Sequence, residues 1–217
     1  MKLMHVDASP KGEHSNSRAL SKYFVEQLRD RVSDLSIDYL DLAIEPPAHP
    51  TAQFTRAVYT FPNERTPEMV AELAASDRLC HRVLTADALV FAMPMHNFTV
   101  PSVFKVFVDN LVRAGLTYTI TSEGRHVGCL DQHQVLFITT RGSDLRPGGP
   151  MAHMDALTPV LRAAFGCMGV MAPVFVDAQP LQFADLSSQQ AALLRARSNL
   201  DDVARIWTKL ASHTRRD

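Results

Sequence analysis

The sequence predicts an α/β fold, a five-stranded parallel sheet with helices on both faces. Three observations point to it. Strand-like apolar runs alternate with amphipathic helical patterns about five times along the chain. Two of those runs, Ala88–Met93 and Gln134–Thr140, are largely apolar, as strands buried on both faces are. The first strand opens through a Ser/Gly loop straight into a helix.

The elements follow in order. Lys2–Ala8 forms the first strand, and Ser9–Ser17 the loop after it. From Ser17 to Arg31, Leu20, Phe24 and Leu28 fall on one helix face at spacings of four. Ser36–Leu42 alternates as the second strand. Glu45–Pro50 is a rigid, exposed connector leading into a short helix near Phe54–Phe61. Thr66 caps a helix with Pro67 in its first turn, which runs to about Leu84. The strand Ala88–Met93 precedes a helix over Pro101–Ala114. Gly115–His133 is a long excursion that suits a small hairpin. The strand Gln134–Thr140, a helix over Met154–Phe165, the strand Met171–Val176 and a helix over Ser187–Ser212 complete the set. Residues 1–212 are expected to form one domain, with 213–217 a frayed tail.

Composition narrows the function. The chain has 217 residues, 46% hydrophobic, enough to bury a substantial core. Its net charge of −1 gives no reason to expect nucleic acid or an anionic membrane as partner. Cys80, Cys129 and Cys167 are odd in number and far apart, which suits reduced thiols in the cytoplasm. Asp7 comes too early for a signal-peptide core, and no apolar run approaches the ~20 residues of a membrane span. The nine histidines show no metal-ligand spacing. There is no Gly-x-Ser-x-Gly elbow and no nucleophile–base pair, so a hydrolase has little support.

In open α/β sheets, ligands sit beyond the carboxyl ends of strands where strand order reverses. Three loops are therefore expected to meet: Ser9–Ser17, Pro94–Pro101, and Arg141–Asp144 extending to Pro150. The first places hydroxyls beside free N–H groups at a helix start, which suits a phosphate. It lacks the Lys-Ser/Thr ending of a triphosphate loop and the glycine spacing of a dinucleotide fingerprint, so a monophosphate fits better. A Ser-rich cap on an ordinary helix reads equally well from this loop alone. The second loop suits a flat, partly polar ring, and Gly142 in the third permits close approach to backbone.

Pro94-Met95-His96-Asn97-Phe98 and Leu111–Tyr118 together resemble the FMN-dependent NADH-azoreductases, flavodoxin-like NAD(P)H:quinone reductases. The likeness extends over nearly the whole chain, through Ser9, Ser15-Asn16-Ser17, Leu157-Thr158-Pro159, Phe165-Gly166 and Gly169. It implies a flavodoxin-like fold and FMN as cofactor. Ser9, Ser15, Asn16 and Ser17 would hold the FMN phosphate, with no lysine required. Pro94, Met95, His96, Asn97 and Phe98 would line the ribityl chain and ring, with the Asn97 N–H toward flavin N5. Thr140, Arg141, Gly142 and Ser143 would border the pyrimidine edge. Phe165, Ile120 and the Phe54–Phe61 segment would close the substrate side of a homodimer. NAD(P)H would give two electrons to the flavin and leave, and a quinone or azo compound would then take them, with no protein residue as catalyst. A flavodoxin-like electron carrier or FMN-binding regulator without turnover is the alternative, and the near-neutral charge speaks against a carrier.

The chain departs from that family at identifiable places. His96 stands where Tyr is frequent, Ser143 where Gly is frequent, and Asp144-Leu145-Arg146 where a His is expected. Ile120 replaces a frequent aromatic. These positions shape the acceptor side.

Overall fold

A computed structural model describes residues 1–213, with side chains through Leu210. Five strands form the sheet: β1 (Lys2–Asp7), β2 (Ser36–Asp41), β3 (Ala88–Pro94), β6 (Gln134–Thr140) and β7 (Val174–Ala178). Their order is β2-β1-β3-β6-β7 and every pairing is parallel. Two short antiparallel strands, β4 (Tyr118–Ile120) and β5 (His126–Gly128), make the hairpin expected between Gly115 and His133.

Period-two alternation divides the core between the two faces of the sheet. Leu89, Phe91 and Met93 of β3 face one way, with Phe137 of β6. On them pack α3 (Pro67–Leu84), α4 (Ser102–Leu111) and α5 (Leu157–Cys167). Ala88, Val90 and Ala92 face the other way, under α1 (Asn16–Arg29) and α6 (Leu186–His213). Phe24 of α1 meets Trp207 of α6 edge-on at 5.3 Å. The short α2 (Ala52–Tyr59) lies outside both layers and packs Phe54 and Ala57 on Leu73 of α3.

Local chemistry explains the boundaries. Ser15, Thr51 and Thr66 cap α1, α2 and α3, each hydroxyl accepting from the N–H three residues on. The last sheet strand begins at Val174, three residues later than the apolar run at Met171 suggests. Pro173 has no N–H to give a ladder, and Met171 is left exposed. Helix α4 ends at Leu111 and not at Ala114 because Thr117 caps it. The Thr117 hydroxyl donates to the Leu111 carbonyl at 2.7 Å and accepts the Arg113 N–H at 2.9 Å. Helix α5 starts at Leu157 because Asp155 accepts the Leu157 and Thr158 N–H groups, at 3.0 and 3.1 Å. Of the tail expected to fray, residues 214–217 lie outside the described residues.

The register matters most for the site. Asp7 stands beside Ala92, Pro94 beside Thr140, and Thr140 beside Ala178. The carboxyl ends of β1, β3, β6 and β7 therefore share one edge, and the loops after them open on the same side.

Candidate functional site

At that edge lies a cleft of ≈350 Å³. Of the residues expected there, Ser9, Ser15, Asn16, Pro94, Met95, His96, Thr140, Arg141 and Gly142 line it. Four strands contribute to it through the loops that leave their ends. Backbone hydrogen bonds tie those loops together, Met95 N–H to the Thr140 carbonyl at 2.8 Å and Leu181 N–H to the Arg141 carbonyl at 3.0 Å.

The first loop presents donors. Its hydroxyl Ser15 caps α1 by accepting the Arg18 N–H at 3.3 Å. That leaves the Asn16 and Ser17 N–H groups at the open end of the helix, where an intrahelical partner is geometrically excluded. The buried Ser17 hydroxyl lies 3.0 Å from that of Ser15 and backs it. The loop also brings a cation that the expectation of a lysine-free seat omitted: Lys11 lines the cleft, with His14 beside it in the lining.

The second loop is a tight reverse turn. His96 and Thr99 exchange both backbone hydrogen bonds, at 2.9 and 3.0 Å. Between them Asn97 and Phe98 take φ of 47° and 69°, the left-handed region. Asn tolerates this conformation, whereas for Phe it stores strain of roughly 1–3 kcal/mol. The Asn97 and Phe98 N–H groups take no part in that exchange. Phe98 is held in place by its carbonyl, which accepts the Ala156 N–H at 3.0 Å. Asn97 borders a neighbouring hollow that shares His96 with the cleft.

In the third loop Arg141 is 3% exposed and anchored at its tip. Its Nη1 donates to Thr139 Oγ1 at 2.7 Å, and its Nη2 to Asp155 Oδ2 at 3.0 Å and Thr158 Oγ1 at 2.8 Å. Burial pushes the Asp155 carboxyl up, but the Thr158 N–H and hydroxyl, with Arg141, outweigh it and hold the group below its ordinary range. The Arg141 Nε is buried and has no hydrogen-bond partner among the described residues. An unpaired buried donor in a cleft wall suits a polar ligand edge. Gly142 lies under Phe183, since a Cβ on it would come within 2.9 Å of that ring. Ser143 follows, half-buried, and Asp144 pairs with Arg146, which holds its carboxyl down at about 2.

Two expectations need correction. Phe165 is fully buried and packs against Phe91 and Phe137, each at 4.9 Å between ring centres. It is a core residue of this chain with no face toward the cleft. The Phe54–Phe61 segment is divided in the same way. Phe54 is buried beneath the Arg113 guanidinium, 5.7 Å from its ring centre, and Phe61 is exposed. Ile120 stands 64% exposed on the hairpin.

The Arg113–Thr117 part of the resemblance has a structural role here. The Arg113 guanidinium is buried and donates to Ser76 Oγ and to Asp77 Oδ1, the latter at 2.9 Å, locking the end of α4 to α3. Sequence reasoning also missed a cleft wall. Leu181, Gln182 and Gln189 line the cleft from the loop after β7 and the start of α6. The parallel neighbourhood of the last two strands is the signal that places that loop there.

The family profile for the flavodoxin-like fold matches residues 1–203. The FMN-dependent NADH:quinone oxidoreductase of Nostoc sp. is 35% identical over 206 residues, 94% of this chain and 99% of the relative. FMN-dependent NADH:quinone oxidoreductase 2 of Xanthomonas axonopodis pv. citri is 33% identical over 216 residues, 99% of each chain. Among solved structures, an azoreductase from Bacillus anthracis str. Sterne superposes with a TM-score of 0.85 at 22% identity, covering 94% of this chain and 98% of that one. An FMN-dependent NADH-azoreductase from Bacillus anthracis str. Ames Ancestor, in complex with FMN, gives 0.84 at 22% identity, covering 96% and 100%. The structural likeness bears on the fold.

Proposed function

The chain belongs to the flavodoxin-like family whose relatives are FMN-dependent NADH:quinone oxidoreductases, and from that premise we propose that it binds FMN in this cleft and uses NADH to reduce quinones or azo compounds. One observation carries the placement. Three loops leaving neighbouring parallel strands converge on one cleft, and what they offer is mainly donors.

The donor set fits the group. Ser9, Ser15, Asn16 and Ser17 would take the phosphate on hydroxyls and helix-start N–H groups, with Lys11 adding positive charge nearby. Pro94, Met95 and His96 would flank the ribityl chain and ring, and the N–H of Asn97 would face flavin N5. Thr140, Arg141, Gly142 and Ser143 would border the pyrimidine edge, where the free Arg141 Nε is a donor placed for negative charge. FMN held there would supply two-electron transfer between the nicotinamide and the acceptor, in a ping-pong cycle. The residues bind and orient it, and the strained Asn97–Phe98 turn holds its donors at a fixed angle.

A homodimer completes this reading. Tyr59, Phe61, Ile120 and Phe183 are large apolar side chains, each more than 60% exposed, that a second copy would cover. The three unpaired cysteines agree with a cytoplasmic setting. Among the described residues no helix is long and apolar enough to cross a membrane.

The test is direct. The purified protein is expected to be yellow or to rebind FMN, and to oxidise NADH with a simple quinone, giving parallel double-reciprocal lines. A protein that neither retains nor rebinds FMN overturns the proposal. FMN binding without NADH oxidation leaves an electron carrier.

A further inference from the structure

A second hollow, which shares no lining residue with the cleft, is lined by His5, Asp7, Arg18, Tyr39 and Asp41 among others. Its centre is the Arg18 guanidinium. Nε and Nη2 donate to the Ser9 carbonyl at 3.0 and 2.7 Å. Nη1 and Nη2 donate to the two oxygens of Asp41, both at 2.6 Å. Nη1 also donates to the Tyr39 hydroxyl at 3.1 Å, and that hydroxyl donates to Asp7 Oδ2 at 3.0 Å. The main-chain N–H of the same arginine bonds Ser15 Oγ at 3.3 Å. One residue therefore grips both ends of the Ser9–Ser15 loop, and Asp41 at the end of β2 fixes its fork.

We propose that Arg18, oriented by Asp41, is a positioning residue for the phosphate loop: it fixes the Ser9 peptide and Ser15 so that the loop's donors converge, without touching the ligand itself. Arg18 is unsuited to attract a phosphate by charge. Asp41 contacts it and Asp7 lies 3.6 Å away, so two carboxylates face one guanidinium. With His5 counted as neutral or as charged, the cluster is never net positive. Its contribution is geometric, since a planar bidentate fork fixes a carboxylate and a carbonyl where a lysine supplies only a point charge.

The inference rests on the phosphate seat proposed above, and the experiment separates the two. The full-length protein is stripped of flavin and titrated with FMN and with riboflavin, which lacks the phosphate, by fluorescence quenching. Asp41→Asn keeps the shape and the oxygen that accepts the Ala43 N–H at 2.9 Å. It removes a negative charge, so a purely electrostatic role makes FMN bind more tightly. Positioning predicts the opposite sign: the FMN Kd rises about tenfold, as losing a charge-assisted bond implies, while the riboflavin Kd stays within about twofold. Arg18→Lys, which keeps the charge and loses the fork, is expected to move the FMN-to-riboflavin ratio the same way. Tighter FMN binding in Asp41→Asn, or equal weakening of both flavins, overturns the proposal. If Asp41→Asn does not fold, the ratio in Arg18→Lys decides alone, and an unchanged ratio overturns it. Ser15→Ala is the control for the seat. Selective FMN loss there, with none in the Asp41 and Arg18 variants, overturns only the role of Arg18. No selective loss in Ser15→Ala overturns the seat itself.

Discussion

The loop after β1 and the β4–β5 hairpin are both excursions from the sheet, yet they are held in opposite ways. In the first, side chains hold both ends, through the Ser15 cap and the Arg18 fork on Ser9 and Asp41, and backbone bonds from His14 to Lys11 and from Ser15 to Gly12 close the exposed middle. In the hairpin the backbone bonds that tie it to the rest of the fold lie at the base, while the tip is closed by its own Thr121, Glu123 and Arg125. Cys129 N–H donates to the Thr117 carbonyl at 2.9 Å, and Leu130 N–H to the Met168 carbonyl at 2.7 Å. Further out, Tyr118 stacks on His126 and the tip is exposed. A loop that must aim donors within tenths of an ångström needs restraint at the residues that carry them. A loop that supplies surface needs only a fixed base. Three of the departures from the family pattern fall outside the tightly held positions, Ile120 on the hairpin and Ser143 and Asp144 beyond the anchored Arg141, whereas His96 lines the cleft in a hydrogen-bonded turn.

The contrast breaks most visibly at two hydrophobic residues expected on the same acceptor side. Phe165→Ala is expected to lower stability by about 3–5 kcal/mol, because a core ring in contact with Phe91 and Phe137 leaves a cavity. Ile120→Ala is expected to change stability by less than about 0.5 kcal/mol, as exposed substitutions do. Its effect falls on the KM for the acceptor. Urea unfolding with steady-state kinetics checks both. A Phe165→Ala protein with an unchanged urea midpoint and a raised KM would restore that ring to the substrate side.

Within the hairpin the same division separates two glycines. A Cβ on Gly128 would lie 2.0 Å from the Gly169 nitrogen and 2.1 Å from the Met168 carbonyl carbon, both backbone atoms that cannot swing aside. Gly128→Ala should therefore cost at least about 1–3 kcal/mol through forced backbone movement. Gly124, at the tip, meets nothing within 4 Å but has φ of +77°. Gly124→Ala should cost about 1 kcal/mol, from conformation alone. Thermal melts of the two variants rank them, and equal losses would mean the base is no more constrained than the tip.

What the sequence made legible follows from how local each determinant is. The strand Gln134–Thr140 and the helix Pro67–Leu84 can be bounded at both ends from composition, capping and periodicity, which act over a few residues. The start of β7 is misplaced because Met171 and Ala172 are apolar for reasons unconnected with the ladder. At the site, hydroxyls at a helix start and a proline-bounded turn are local patterns, and nine of the expected residues do line one cleft. Gln182 and Gln189 carry no pattern and reach the cleft only through the side-by-side packing of β6 and β7. Phe165 fails for a related reason, since an aromatic at one helix position suits a core or a site equally. Arg113 and Thr117 are conspicuous as a signature, and their work is to end α4 and lock it to α3.

The smallest effect concerns pH and sharpens the account of the first loop. Burial, then the charge and hydrogen bond of Asp7, push the Tyr39 hydroxyl up to about 12 from an ordinary value of 10.0. A raised value means the folded protein prefers the neutral phenol. Its stabilisation is fully present below pH 10 and declines as pH rises toward about 12, because the unfolded chain ionises first. Tyr39 is half-exposed, so solvent screening keeps this slope shallow. Tyr39→Phe should flatten that alkaline limb of the stability curve. It should leave FMN selectivity over riboflavin largely intact, since Arg18 keeps both bonds to Ser9 and both to Asp41. Urea midpoints between pH 9 and 12 measure the first effect. A wild-type and variant pair with parallel limbs would show that the phenol titrates as it does in the unfolded chain, and that the cluster behind the loop is wetter than its hydrogen bonds imply.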